Sequence, residues 1–230
     1  MPPRAALRYH LPVRQRFDLR AAAPRLPGLL GGLVLFGLGI ALMAQAGLGL
    51  GPWEAFHQGI GRLTGQPIGT ISIVLGIPIL VLWWPLREVP GIGTLANVAI
   101  IGTATNLGLR YLPAAVGAPA QLLEMIAGVV LIGLASGMYL AADLGAGPRD
   151  GLMTGLHHRF GWSIRRSRAV VEVTVLVIGW ALGGTIGLGT VVFALGIGPL
   201  VQVFLGIFDR SGRLARRRVR TLEADATGAE

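Results

Sequence analysis

Long apolar stretches separated by short polar ones organise this chain. Six of them approach the roughly 20 residues needed to cross about 30 Å of hydrocarbon. They are Gly28–Ala46, Ile68–Leu86, Gly91–Leu109, Gln121–Ala142, Ala169–Gly184 and Ile186–Phe208. The fifth is the weakest, being short and carrying Glu172. Lipid cannot hydrogen-bond an open backbone, so each stretch predicts a transmembrane helix. The expected fold is all-α, a polytopic transmembrane bundle.

A shorter segment follows the first span of each half, Pro52–Thr64 and Pro148–Phe160. As a helix, either would extend only about 20 Å, too little to span. Gly51-Pro52 and Gly147-Pro148 are good helix starts, and Glu54 and Asp150 follow where a carboxylate meets exposed N–H groups. Trp53, Phe56, Ile60 and Leu63 form an apolar stripe in the first segment; Leu152, Met153, Leu156 and Phe160 do so in the second. Two placements are open. Either the helices lie flat on the two faces with the acids as caps, or they dip inward and the acids line a cavity.

The two halves repeat. Gly32–Gly108 laid on Gly128–Phe204 at an offset of 96 gives 23 identities in 77 positions without a gap. The punctuation aligns too: Leu48-Gly49-Leu50-Gly51-Pro52 falls on Leu144-Gly145-Ala146-Gly147-Pro148. Likewise Gly91-Ile92-Gly93-Thr94 falls on Gly187-Leu188-Gly189-Thr190. Three spans per copy force the second copy to enter from the opposite face, an arrangement used by many secondary transporters. The expected organisation is a basic arm (1–27), a first repeat (28–112), a second repeat (121–208) and a basic tail (209–230).

Composition agrees with a lipid-embedded chain: 53% hydrophobic, only 13% charged, mean hydropathy +0.65. All 20 basic residues are arginine and the net charge is +9. The arginines flank apolar segments and form no basic patch, which argues against a nucleic-acid partner. An N-terminus inside places 18 arginines on the cytoplasmic side and only Arg62 and Arg110 outside. This predicts a bacterial inner-membrane protein with both termini cytoplasmic. The absence of cysteine excludes disulfides, thiol nucleophiles and thiolate metal sites.

Few polar side chains fall within the apolar stretches. Glu54, Asp150, Glu172, Asn97, Asn106 and Gln202 are the candidates to line a cavity or contact a solute. Glu172 has the alternative of pairing with a nearby arginine at headgroup depth. Asn106 and its mate Gln202 have the alternative of bridging helices. His57, His157 and His158 are expected on different faces and suggest no metal. There is no phosphate-binding glycine loop, no coherent catalytic cluster and no expected cofactor.

Gly49-Leu50-Gly51-Pro52-Trp53-Glu54 and Leu144 through Leu152, joined to the Gly-x-Gly-Thr elements Gly91–Thr94 and Gly187–Thr190, resemble the YczE-like bacterial membrane proteins, related to the wider YitT/YyaS group. Relatives tend to have Gly-Pro-Trp-Asp at the first motif, and Glu54 keeps that charge. The resemblance implies a multi-pass membrane protein and carries over no catalytic or binding residues. From the inverted spans and paired acids, the expected function is a small-solute transporter or exporter, with a solute or coupling ion as partner. A non-transporting accessory or scaffold protein is the alternative. Homo-oligomerisation is left open.

Overall fold

In the computed structural model the described residues are 22–86 and 88–209. The arm's arginines from Arg4 to Arg20, Arg87, and the tail from Arg210 onward lie outside them. After a 3-10 turn at Ala23–Arg25 come eight α-helices among the described residues. They are α1 (Leu26–Ala46), α2 (Pro52–Thr64), α3 (Ile68–Leu86), α4 (Ile92–Tyr111), α5 (Ala118–Ala141), α6 (Pro148–Phe160), α7 (Ile164–Ala181) and α8 (Leu188–Phe208). The fold is an all-α polytopic membrane bundle.

Five helices, α1, α3, α4, α5 and α8, are long and apolar enough to cross a membrane. Their outer faces leave Val81, Trp84 and Leu195 exposed, side chains whose natural solvent is lipid. The predicted fifth span differs from the helix that covers it. The Ser163 hydroxyl accepts the Arg166 N–H at 3.2 Å, so α7 starts at Ile164 rather than Ala169. Its first half therefore carries Arg165, Arg166, Arg168 and Glu172, and α7 is not among the five.

Small residues fix how the helices meet. A side chain at Gly32 would collide with the backbone of Ala135 and Tyr139, and one at Gly128 with the Gly39 carbonyl at 2.8 Å. These contacts bring α1 against α5 in antiparallel register, around Leu33, Ile40, Met43, Val129 and Ile132. On α1's flank Gly37 meets Ile101 and Ala104 of α4; on α5's flank Gly133 meets Leu200 of α8. The short helices cross to the other half. α2 lies along α7, where Gly59 meets Gly179 and Leu182; α6 lies along α3, where Gly151 meets the Trp83 ring. The Trp83 Nε1–H also donates to the Pro148 carbonyl at 3.1 Å, holding the start of α6.

The Gly-x-Gly-Thr elements act as clamps. Gly91 N–H donates to Thr94 Oγ1 at 3.1 Å, and that hydroxyl donates to the Ala146 carbonyl at 2.7 Å. Gly93 N–H donates to the Leu144 carbonyl at 2.9 Å. At the other end Gly187 N–H donates to Thr190 Oγ1 at 3.2 Å and Gly189 N–H to the Leu48 carbonyl at 2.8 Å. Each helix start thus binds the loop ahead of the other half's Gly-Pro. Gly49 (φ 120°) and Gly145 (φ 132°) sit in that loop with backbone dihedrals that L side chains rarely adopt.

One helix pair has no mirror. α3 and α4 are tightly joined where Gly69 meets Gly102 and Asn106; α7 and α8 scarcely touch.

Candidate functional site

The clamps bring the two Gly-Pro helix starts towards each other in the middle of the bundle. At position 54 α2 carries a glutamate, and next to Asp150 α6 carries Arg149. Arg149 Nη1 donates to Glu54 Oε1 at 2.6 Å, joining the two short helices by an ion pair. The Glu54 side chain is 4% exposed and that of Arg149 23%. Isolated charges at such burial are costly, so each depends on the other. The guanidinium also lies 5.2 Å from the Trp53 ring centre, a cation–π contact.

Around this pair is a cavity of about 170 Å³. Its polar wall is contributed by several elements. α4 supplies Asn97, α5 supplies Ser136 and Tyr139, and α7 supplies Arg168 and Glu172. Phe193 and Ile197 of α8 close one side with apolar surface. The Tyr139 hydroxyl donates to Asp150 Oδ2 at 3.2 Å, and Arg168 Nε donates to Glu172 Oε1 at 2.7 Å one helical turn away. Two of the three acids therefore have an arginine within direct hydrogen-bonding distance, while Asp150 has a phenol. Burial is the main cause raising the Asp150 carboxyl above the usual carboxylate range, opposed by Tyr139, Arg168 and Arg149.

Two further cavity residues are not site candidates by sequence. His57 is 3% exposed and Trp53 6%. His57 Nε2 and Trp53 Nε1 make no hydrogen bond within the described protein. Burial first, and then the Arg149 charge, hold the His57 imidazole well below its ordinary value, so it is neutral. The cavity can thus offer a polar guest a neutral ring nitrogen, an indole N–H, two arginines and an acid with no salt-bridge partner among the described residues.

Of the six candidates read from sequence, Glu54, Asp150, Glu172 and Asn97 come together in this cavity. Asn106 does not reach it. Its Oδ1 accepts the Gly69 N–H at 2.9 Å and its Nδ2 donates to Thr70 Oγ1 at 3.0 Å, bridging α4 to α3. Gln202 is exposed on α8 and makes no such bridge. Gly51, Pro52, Gly147 and Pro148 start the two short helices, and Gly93, Thr94, Gly189 and Thr190 form the clamps. The histidines are dispersed. His157 contacts the Trp162 carbonyl, and His158 lies 3.1 Å from Glu88. Among the described residues no three His, Asp or Glu are grouped to hold a metal.

Long apolar helices enclosing a small charged cavity define a multi-pass membrane protein with a buried polar centre. The chain belongs to the family of unknown function DUF6198, which matches residues 23–206. It is 38% identical over 182 residues to an uncharacterized protein of Haemophilus influenzae, covering 79% of this chain and 84% of that one. It is 36% identical over 177 residues to the uncharacterized membrane protein YczE of Bacillus subtilis, covering 76% and 82%. YyaS of the same organism is 29% identical over 191 residues, covering 81% and 95%. The resemblance read from the Gly-Pro and Gly-x-Gly-Thr motifs is therefore borne out. No solved structure matches.

Proposed function

We propose that the chain crosses the bacterial inner membrane six times, as two three-span repeats of opposite orientation with cytoplasmic termini, and that its central cavity carries a small solute by alternating access. α7 is the sixth crossing, its charges directed to the cavity and the cytoplasmic end. The antiparallel register of α1 on α5 and the reciprocal clamps support the inverted arrangement.

The observation that carries the transport reading is the Glu54–Arg149 pair. Helices that lay flat on opposite faces would keep these residues a membrane apart. Their contact supports a placement of both helix starts near the middle, next to buried side-chain atoms with no hydrogen-bond partner among the described residues. A volume of about 170 Å³ is below that of a typical drug-sized pocket and suits an ion or the polar part of a small molecule. Rocking one half against the other would expose that volume to each face in turn.

The scaffold reading also has an observation behind it. Glycine contacts on both α1 and α5 and three hydrogen bonds from the clamps to the loops make a bundle with little slack.

Cysteine labelling separates the two, since the native chain has none. Leu63→Cys, 69% exposed at the end of α2, should react with an impermeant maleimide only in intact cells. Phe160→Cys, 58% exposed at the end of α6, should react only in inside-out vesicles. Reaction of both from one face would remove the inverted arrangement. Ser136→Cys in the cavity should react from either face according to conditions; reaction from neither would favour the scaffold.

A further inference from the structure

We propose that the cavity opens sideways to the bilayer between α7 and α8, and that this gap admits an amphiphile with an anionic head group. The proposal names the substrate class for the cavity and so rests on the reading of that cavity as a substrate site.

Matched positions show the gap to be built by sequence. In the first half, α3 seals against α4 at Gly69, where an added side chain would lie 2.0 Å from the Gly102 carbonyl. Asn106 then ties the seam to Gly69 and Thr70. At an offset of 96 the seam residues become Arg165, Arg166, Gly198 and Gln202. An arginine in place of Gly69 cannot permit that approach, because its side chain must occupy the space the carbonyl takes in the first half. The result is visible at Gly198: nothing lies within 4 Å of a side chain built there, whereas one at Gly102 would be 2.5 Å from the Gly69 carbonyl. Gly76, which packs on Val98, is likewise replaced by Glu172.

Both walls of the gap are also walls of the cavity. Arg168 and Glu172 line it from α7, and Ile197 and Val201 from α8. An opening between these helices therefore leads directly to the polar centre.

The charges choose the guest. Arg165, Arg168 and Glu172 fall three and four residues apart, on one face of α7. Arg168 is paired with Glu172, with its side chain 52% exposed. Arg165 is exposed and has no hydrogen-bond or ion-pair partner among the described residues. Arg166 lies 4.8 Å over the Trp162 ring. A free guanidinium beside an exposed, exchangeable one suits a phosphate or carboxylate head. The exposed apolar surface of α8, including Leu195 and Val203, would hold the tail at bilayer depth.

The test uses the purified full chain in a mild detergent, with a single Gln202→Cys facing the gap. The readout is its rate of reaction with N-ethylmaleimide. Dihexanoyl phosphatidylglycerol at about ten times its Kd should slow the reaction about 10-fold by mass action. Arg165→Gln with Arg168→Gln should abolish that protection, while Val81→Cys on α3 should be unaffected by lipid. Equal protection by dihexanoyl phosphatidylcholine would overturn the anionic-head assignment. Protection by glycerol phosphate alone would make this a site for a water-borne anion and remove the sideways route. Protection that grows with protein concentration without lipid would assign the gap to a second copy of the chain. No protection by any probe would overturn the proposal, yet leave the two-face labelling of Ser136→Cys as a separate test of alternating access. Monodisperse elution of each variant is the folding control.

Discussion

Replacing Arg149 by glutamine tests whether the ion pair between the two short helices is as buried as its geometry indicates. The substitution leaves the Glu54 carboxylate 4% exposed without its cation. Breaking a buried pair from one side costs roughly 3–5 kcal/mol. Arg149 is itself 23% exposed, so the partial access of solvent puts the expected loss at the low end, about 3 kcal/mol, including the stacking on Trp53. Glu54→Gln should cost less, about 1.5 kcal/mol, because the stranded guanidinium keeps some water and the indole face. In the double variant two amides can hydrogen-bond to one another, and a loss of about 2 kcal/mol is expected. The coupling between the sites is then about 2.5 kcal/mol, within the range for residues in direct contact. Reversible unfolding in mixed micelles containing dodecyl sulfate, followed by tryptophan fluorescence, measures all three. If the single effects add to within about 0.5 kcal/mol, the pair carries no special energy. The short helices would then not be held together at the bundle centre, and the transport reading would lose its main support.

Other perturbations exploit matched positions. Asn106→Leu removes the bonds to Gly69 and Thr70 and should destabilise by about 1–2 kcal/mol, whereas Gln202→Leu should stay within about 0.5 kcal/mol; the same unfolding assay reads both. Gly102→Ala places a methyl 2.5 Å from the Gly69 carbonyl and should lower the thermal midpoint, while Gly198→Ala, in open space, should leave it unchanged or raise it. Burial raises the Asp150 carboxyl, so the folded state holds that proton more tightly than the unfolded chain. Its contribution is thus fully present below the ordinary carboxylate value and is lost as pH rises through the raised one. Asp150→Asn should flatten that part of the stability profile, and an unchanged slope would assign the dependence to another group.

The helices were legible because their signals are local. Gly-Pro at a helix start, glycine after the last turn and an acid in the first turn need no partner from elsewhere, and both short helices occupy the ranges read from sequence. Hydropathy begins the fifth span at Ala169, where the apolar stretch starts, whereas the Ser163 cap carries α7 back through three arginines. The four acids and amides that meet in the cavity were visible as polar residues in an apolar chain. Their partners were harder to see. Arg149 reads from sequence as a topology charge, and only the crossing of α6 to the other half turns it towards Glu54. Tyr139 gives no signal of its own, since an aromatic ring in a span is usually core, and His57 stands out only as a metal candidate that the topology disfavours. Asn106 and Gln202 looked equivalent by register. The arginines of α7 remove the seam that would have given Gln202 a partner.

Comparison of the matched halves separates frame from lining. Several positions at which the copies agree hold backbone: Gly32 and Gly128 on the α1–α5 contact, Gly37 and Gly133 on the flanks, Thr94 and Thr190 in the clamps. Several positions at which they differ line the cavity in one copy or both. Trp53 is matched by Arg149, His57 by Met153, Ser72 by Arg168, Gly76 by Glu172 and Asn97 by Phe193, while Ser136 and Tyr139 of the cavity are matched by Ile40 and Met43 of the apolar core. Glu54 and Asp150 are the acidic pair that both copies keep. If the proposed transport cycle exchanges the conformations of the two halves, a symmetric lining would offer a solute the same site from either face. This lining does not. A guest bound mainly through Arg149, Arg168 and Tyr139 meets groups that belong to the second half in both states, so its affinity changes as that half moves. A difference in affinity between the two states is what lets a bound ligand shift the equilibrium between them. On this reasoning the residues that differ between matched positions would let a bound solute favour one conformation over the other.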